Sequence, residues 1–380
     1  MDNKKTLFYI NYIPPDYGGG YLRAFKMAER FKEKKNLSGI VTLTKRNRFE
    51  KINSFISESD ILFLRSKLFI LFDLIYHLIK KRKSFDLIYV VSPHWHSLFA
   101  VTICKLLNKK VIIGITLMGV DSPASKSKNI FINLYYKFKN LQFKLADKII
   151  VNSPAVLNEC FDFGYTSGKV QLLVNPVDIL KFKPIKSKEE KLLLRNELEL
   201  PTDIPIVLFV GSVNFRKGAD NFKIIFEKLN EKIDINYSFV ICGDLNHKES
   251  NVIISDLKKV FENTNNQFFL YENVTCIEKF LNASDIFIFP TTNEGLPNVI
   301  IEAMAMKKII ISNTLPDITD FLLSKEFLVT DNDTNEYVYK LEKYIREPES
   351  VEQIIELNYL RIKNEFTFEK IDNQFQKLIP

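Results

Sequence analysis

The densest chemistry in this 380-residue chain lies in the stretch Pro290-Thr-Thr-Asn-Glu-Gly-Leu-Pro-Asn-Val-Ile-Ile-Glu-Ala303. It follows an apolar, strand-like run at 286–289, and its second half, 298–306, has a helical pattern. A strand that passes through a Gly/Pro loop straight into a helix aims the helix's first amides, and the positive end of its dipole, past the strand end. That arrangement suits an anion. Glu294 precedes the helix and Glu302 falls on its second turn. A bound anion would repel either carboxylate, so both suit neutral hydroxyls, for which an ionised carboxylate is a strong acceptor.

The form E-G-x-P-N-x-x-x-E-A resembles the signature of the large retaining glycosyltransferase family with the GT-B fold, the group 1 or family 4 type. The similarity extends over nearly the whole chain. It implies that Glu294 contacts the hydroxyls of a transferred sugar and that Glu302 holds a nucleotide ribose. The amides around Gly295, Leu296, Asn298 and Val299 would line the sugar and diphosphate. Phe209-Val-Gly-Ser-Val-Asn-Phe-Arg-Lys-Gly218 resembles a family loop that carries an Arg after its first Gly and a Lys before its second, both on the diphosphate. Lys217 matches that Lys and joins Glu294 as a catalytic candidate. Ser212 stands where the Arg belongs, and Arg216 is the residue whose side chain is long enough to substitute. Tyr12-Ile-Pro-Pro-Asp-Tyr-Gly-Gly-Gly20 resembles the family's first glycine-rich loop and puts Gly19 among the donor-binding residues, since glycine lets backbone approach phosphate closely.

A second departure falls in Thr116-Leu-Met-Gly-Val-Asp121, where Met118 replaces the His of a T-x-H-G-x-D pattern. A thioether donates no hydrogen bond, so the choice of donor sugar stays open. Asp121 is either an acceptor-side group or the N-cap of a turn. His94-Trp-His96 follows the apolar run at 87–91, with His94 an acceptor-side candidate and Trp95 either stacking on a sugar or packing on its own domain. The function expected is transfer of a hexose-type sugar, with retention, from a nucleotide diphosphate sugar to a saccharide or lipid-linked saccharide. The donor is a substrate, and no cofactor or metal is expected. The alternative is a sugar-nucleotide-binding protein that keeps the fold and has lost catalysis. A nicotinamide oxidoreductase is disfavoured because Gly18, Gly19 and Gly20 lack the G-x-G-x-x-G spacing.

Apolar runs must position these residues. Strand-like segments fall at 7–13, 39–43, 87–91, 111–115, 148–151 and 170–173, then at 206–210, 237–242, 268–271, 286–289 and 309–312, with helical patterns between them. Continuous apolar strands indicate parallel sheets covered on both faces. The expected fold is α/β, with two Rossmann-like domains, each a doubly wound parallel sheet, and a cleft between them. The expected boundaries are 1–183 for an acceptor-side domain, 184–358 for the donor domain, and 359–380 for a C-terminal helix returning to the first. Asp331-Asn-Asp333 reads as a turn rather than a metal-binding D-x-D.

Composition sets the remaining bounds. With 46% hydrophobic and 26% charged residues the chain has material for full cores. Its four cysteines are scattered as core thiols would be, and neither a leader nor a membrane span is expected, which favours a cytoplasmic protein. The net charge of +7 conceals an asymmetry: residues 1–185 hold 30 Lys and Arg against 14 Asp and Glu, and residues 186–380 hold 23 against 32. The first half is suited to something anionic, although no nucleic-acid partner is expected. One apolar stretch there, 68–79, ends in Lys80-Lys-Arg-Lys83. It reads either as a peripheral anchor on the inner face of an anionic membrane or as a core helix with a solvated basic end.

Overall fold

The computed structural model describes residues 4–13, 19–49, 55–65, 69–115, 121–123, 129–294, 296–319 and 321–378. The chain divides into two compact units, Met1–Pro176 with Ile371–Pro380, and Val177–Lys370. Both are α/β, and every strand pairing within them is parallel.

In the first unit the chain runs β1 (Thr6–Ile10), α1 (Gly19–Glu33), β2 (Leu37–Thr42), β3 (Ile61–Phe63), α2 (Ile70–Lys80), β4 (Leu87–Val91), α3 (Trp95–Leu106), β5 (Lys110–Ile115), α4 (Ile130–Leu145), β6 (Lys148–Val151), α5 (Pro154–Asp162) and β7 (Val170–Leu172). The sheet order is β3-β2-β1-β4-β5-β6-β7. Strands β1 and β4 are buried at every position, because helices cover both faces. One face packs Leu74, Val101 and Phe143 from α2, α3 and α4. The other packs Ala24, Phe25 and Phe31 of α1.

The second unit continues with α6 (Lys188–Glu197), β8 (Ile206–Val210), α7 (Asn221–Lys232), β9 (Ser238–Gly243), α8 (Ser250–Glu262), β10 (Gln267–Glu272), α9 (Ile277–Ala283), β11 (Ile286–Phe289), α10 (Asn298–Ala305), β12 (Ile309–Asn313), α11 (Pro316–Thr319), β13 (Leu328–Val329), α12 (Thr334–Arg346) and α13 (Glu352–Glu365). Its sheet order is β10-β9-β8-β11-β12-β13. The charged stretch after Pro184 forms the mostly exposed helix α6, in which Arg195 is buried. Ser187 caps α6 by accepting from the Glu190 amide. Arg195, 5% exposed, donates to the Ala283 carbonyl at 2.9 Å and to Asp285 at 2.6 Å.

Strands β3 and β13 were not among the expected segments. They are edge strands of three and two residues, too short to leave a pattern. At 331–333 the chain does turn, with Asp331 and Asn332 at positive φ and Asp333 capping α12. The last helix, α14 (Phe368–Leu378), follows a break at Thr367, which bridges to Val177. From Ile371 onward it belongs to the first unit, so residues 359–365 end α13 and are not part of the returning helix.

Phe375 is fully buried there, its ring 5.6 Å from Phe31 and 5.2 Å from Tyr89. Asp372 pairs with Arg30 at 2.7 Å and Lys34 at 3.1 Å. Truncating Phe375 to Ala should cost about 3–5 kcal/mol, the usual range for a buried Phe that leaves a cavity. The chain's single tryptophan, Trp95, lies in the first unit, so its fluorescence during denaturant unfolding reads this loss directly.

Candidate functional site

In a doubly wound sheet, ligands sit where the strand order reverses, because the loops leaving the two central strands diverge and open a crevice. In the second unit that point lies between β8 and β11. The two loops there are 211–218 and 290–297, which hold Ser212, Arg216, Lys217, Glu294, Gly295 and Leu296 among the residues singled out in the sequence.

These loops are interlocked. Gly218 has φ +70°, and a Cβ on it would lie 1.9 Å from the Pro290 carbonyl oxygen, so only glycine fits. Asn214 accepts from the Lys217 amide at 3.0 Å and closes the turn Phe215–Lys217. The Arg216 carbonyl accepts from the Thr292 amide at 2.9 Å and the Thr291 hydroxyl at 3.1 Å. From behind, Asn313 donates to the carbonyls of Pro290 and Thr291 and accepts from Tyr337.

This scaffold brings Glu294, Lys217 and Arg216 together. Glu294 Oε1 lies 2.5 Å from both Lys217 Nζ and Arg216 Nη1. Arg216 also donates to the Asn293 carbonyl at 2.9 Å, and Lys217 Nζ sits 4.8 Å from the centroid of the Phe289 ring. The Lys217 and Glu294 side chains are only 14% and 13% exposed, against 46% for Arg216. Burial pulls the Lys217 ammonium below its ordinary value, and Glu294 opposes that shift. Ser212, half-buried, follows Gly211, whose amide donates to the Cys242 carbonyl.

Helix α10 begins at Asn298 as expected, and its N-cap is Pro297, whose ring offers no side-chain acceptor. Leu296 is buried, Asn298 and Val299 are half-buried, and Glu302 lies one turn beyond Asn298 on the same face. Gly295 falls outside the described residues, as do Met118 and positions 14–18 of the first glycine-rich loop. Gly19 is the first residue of α1.

The first unit has its own reversal point between β1 and β4. A cavity of about 160 Å³ there is lined by Asn11, Tyr12, His94, Trp95 and His96. A neighbouring one of about 590 Å³ shares Tyr12 and Leu43 with it and adds Lys45, Arg46, Phe63 and Arg65. His94 caps α3, and Tyr21 Oη lies 3.5 Å from its Nε2. His96 is buried and hydrogen-bonded to Tyr9 at 2.7 Å, and burial pushes its pKa down to about 4, so it is structural and neutral. Trp95 is partly exposed and contacts Phe99.

Asp121 is 8% exposed and lies within electrostatic reach of His94 and of Lys139. Lys139 was missed in the sequence. It sits mid-α4 on the inward stripe with Tyr136 and Phe143, and that spacing was the available signal. Arg23 was missed too. It is buried after the first loop and hydrogen-bonded to Asn175 and to Tyr89.

The model of the glycosyl transferases group 1 matches residues 190–361, and that of glycosyltransferase family 4 matches residues 18–180. The capsular polysaccharide biosynthesis glycosyltransferase CapM of Staphylococcus aureus is 25% identical over 293 residues, covering 73% of this chain and 72% of that protein. The alpha-galactosylglucosyldiacylglycerol synthase of Streptococcus pneumoniae is 25% identical over 164 residues, 42% of each chain. The crystal structure of HepE from Anabaena in complex with UDP superposes with a TM-score of 0.79 at 16% identity, over 98% of this chain and 99% of that one. At that identity the likeness concerns the fold alone.

The pairing of Lys217 with Glu294 has a direct readout. In NMR of side-chain-labelled lysine, Lys217 should titrate below the ordinary 10.5. Glu294→Gln should lower it further, because the opposing negative charge is gone while burial remains. An unchanged or raised value in that variant would contradict the pairing.

Proposed function

Since the chain belongs to the group 1 glycosyltransferases of the GT-B fold, we propose that it transfers a hexose-type sugar, with retention at the anomeric carbon, from a nucleotide diphosphate sugar. The proposed acceptor is a saccharide or lipid-linked saccharide destined for a surface polysaccharide or glycolipid. The observation that carries this reading is the shielded Glu294–Lys217 pair, with the more exposed Arg216 on the same carboxylate oxygen, beside the N-terminus of α10 at the reversal point of the second sheet. The CapM relative supports a polysaccharide product, the pneumococcal relative a glycolipid one, and the UDP-bound neighbour a nucleotide diphosphate ligand.

The reaction must stabilise an oxocarbenium-like carbon and a departing diphosphate. In this reading Lys217, Arg216 and the α10 dipole take up the charge that grows on the diphosphate, in a site already arranged for it. Arg216 supplies the second cation that Ser212 does not, while the Ser212 hydroxyl remains a neutral donor to a phosphate oxygen. A diphosphate competes with Glu294 for the two cations, which turns the carboxylate toward sugar hydroxyls. Glu302 takes the ribose. Attack comes from the same face as departure, with the leaving phosphate receiving the acceptor's proton. Asp121 and His94 belong to the acceptor side, in the first unit. With two cations and a helix N-terminus on the diphosphate, no divalent metal is required.

Ser212 in the position of the family's Arg favours a second reading, in which the chain binds sugar nucleotides without turning them over. Hydrolysis of donor in the absence of acceptor separates the two, since only a competent site releases free nucleoside diphosphate.

Calorimetry with UDP, GDP, ADP and CMP identifies the base, and affinity for the preferred diphosphate should survive EDTA; strict dependence on a divalent ion would overturn the metal-free site. Glu302→Ala should weaken that nucleotide by about 1.5–3 kcal/mol, roughly 10- to 150-fold, for a lost charge-assisted hydrogen bond. Glu294→Gln should instead lower turnover of the sugar donor and leave free-nucleotide affinity within about twofold. Equal effects of the two variants on free nucleotide would refute this division of roles.

A further inference from the structure

The sequence directs attention to α2, whose inner face, Ile70, Leu74 and Leu78, is core. Its outer face is apolar as well: Phe72 (70% exposed), Ile75, Tyr76 and Ile79 all meet solvent. The larger surface, however, is on α4. Ile130, Leu134, Phe138, Leu141 and Leu145 recur every three or four residues along one exposed side, with Phe131 (79% exposed) beside them. Helix α3 packs between α2 and α4, and the rings of Trp95, Phe99 and Phe138 join its apolar surface to that of α4. Half of the exposed large apolar side chains among the described residues lie on α2, α3, α4 and the flanking Phe69. A soluble monomer seldom shows so large a contiguous patch.

The charge around this face is one-sided. Segments 69–83, 95–110 and 129–147 together contain ten Lys and Arg, of which Lys139 is buried, against two acidic residues: Asp73, buried and paired with Arg65, and Asp147, paired with Lys105 and Lys110. All three helices connect parallel strands, so their C-terminal ends lie along the same edge of the sheet. Lys80 at the end of α2, Arg82 and Lys83 just after it, and Lys144 in the last turn of α4 therefore rim one side of the apolar face, beside Lys105 and Lys110, which Asp147 holds in ion pairs.

We propose that the outer face of α2, α3 and α4 docks on an anionic lipid bilayer, the apolar side chains entering the headgroup boundary and the rim of cations meeting lipid phosphates. Among the described residues no helix is long and apolar enough to cross a membrane, so the contact is interfacial. A protein partner of matching shape would have to supply an apolar surface bordered by acid, and a second copy of this chain brings only more positive charge to the same rim. A bilayer offers both an apolar interior and an anionic surface. This docking uses no residue of the second unit, and it would hold the first unit next to an acceptor carried on lipid.

The test is co-sedimentation of the full chain with vesicles of phosphatidylcholine alone, or with a third of phosphatidylglycerol. Binding to the anionic vesicles should exceed binding to the neutral ones by roughly tenfold and fall as salt rises. Replacing the exposed Phe131, Leu134 and Leu141 with Gln should reduce binding by roughly tenfold, with Trp95 fluorescence and nucleotide calorimetry verifying that the variant is folded. Changing Lys80, Lys81, Arg82 and Lys83 to Gln should remove the anionic preference. No vesicle binding by the parent, or unchanged binding by the α4 variant, would overturn the proposal. So would self-association that the α4 variant abolishes in the absence of lipid binding, which would give the face to a second copy. A chain that sediments with anionic vesicles but binds no nucleoside diphosphate would support the docking and defeat the transferase reading alone.

Discussion

The arrangement of the second unit turns on one close approach of backbone to backbone, Gly218 against the Pro290 carbonyl. Two loops from strands far apart in sequence are pressed together at the one place where the sheet order reverses. Any side chain at 218 would force them apart, and with them Arg216 and Lys217 on one loop and Glu294 on the other. Lys217 and Glu294 are mostly shielded from water while Arg216 is more exposed, so the two shielded charges depend on their contact with each other. In that setting, removing the charge of Glu294 leaves the Lys217 ammonium buried and unpaired, a loss that typically costs about 3–5 kcal/mol. Geometry and electrostatics are thus the same constraint viewed at two scales.

The two sheets use the same topological device with different chemistry. At the reversal point of the second unit, the loops present paired charges and a helix N-terminus, which suits a ligand that brings charge of its own. At the reversal point of the first, Tyr9 and His96 form a buried neutral pair, and aromatic and amide side chains line the cavity. The cations there lie in the adjoining cavity, where Arg46 and Arg65 are held by Glu58 and Asp73. A surface of aromatic rings edged by hydrogen-bonding groups suits a saccharide better than a bare anion. The exposed cations Arg82, Lys83 and Lys144 lie instead along the helix ends at the opposite edge of the sheet.

The sequence by itself determined most of the strand menu and where the candidate site residues cluster. Runs such as 87–91, 206–210 and 286–289 match β4, β8 and β11 residue for residue, because a strand covered on both faces must be apolar throughout. Glu294, Lys217 and the start of α10 were legible because the strand-loop-helix passage compresses them into a few residues of fixed spacing. Tertiary structure decided what depends on pairing across distance. The edge strands β3 and β13 exist only because a neighbour offers them hydrogen bonds, and Lys139 came within reach of Asp121, and Arg23 of Asn175 and Tyr89, only when α4 and α1 were laid on the sheet. Arg216 was legible as a long cation near Lys217, but its grip on Glu294 came from the interlocked loops. The outward apolar stripe of α4 escaped notice for a related reason: periodicity marks a helix with apolar faces, and only packing shows which face the core takes and which is left to meet something else.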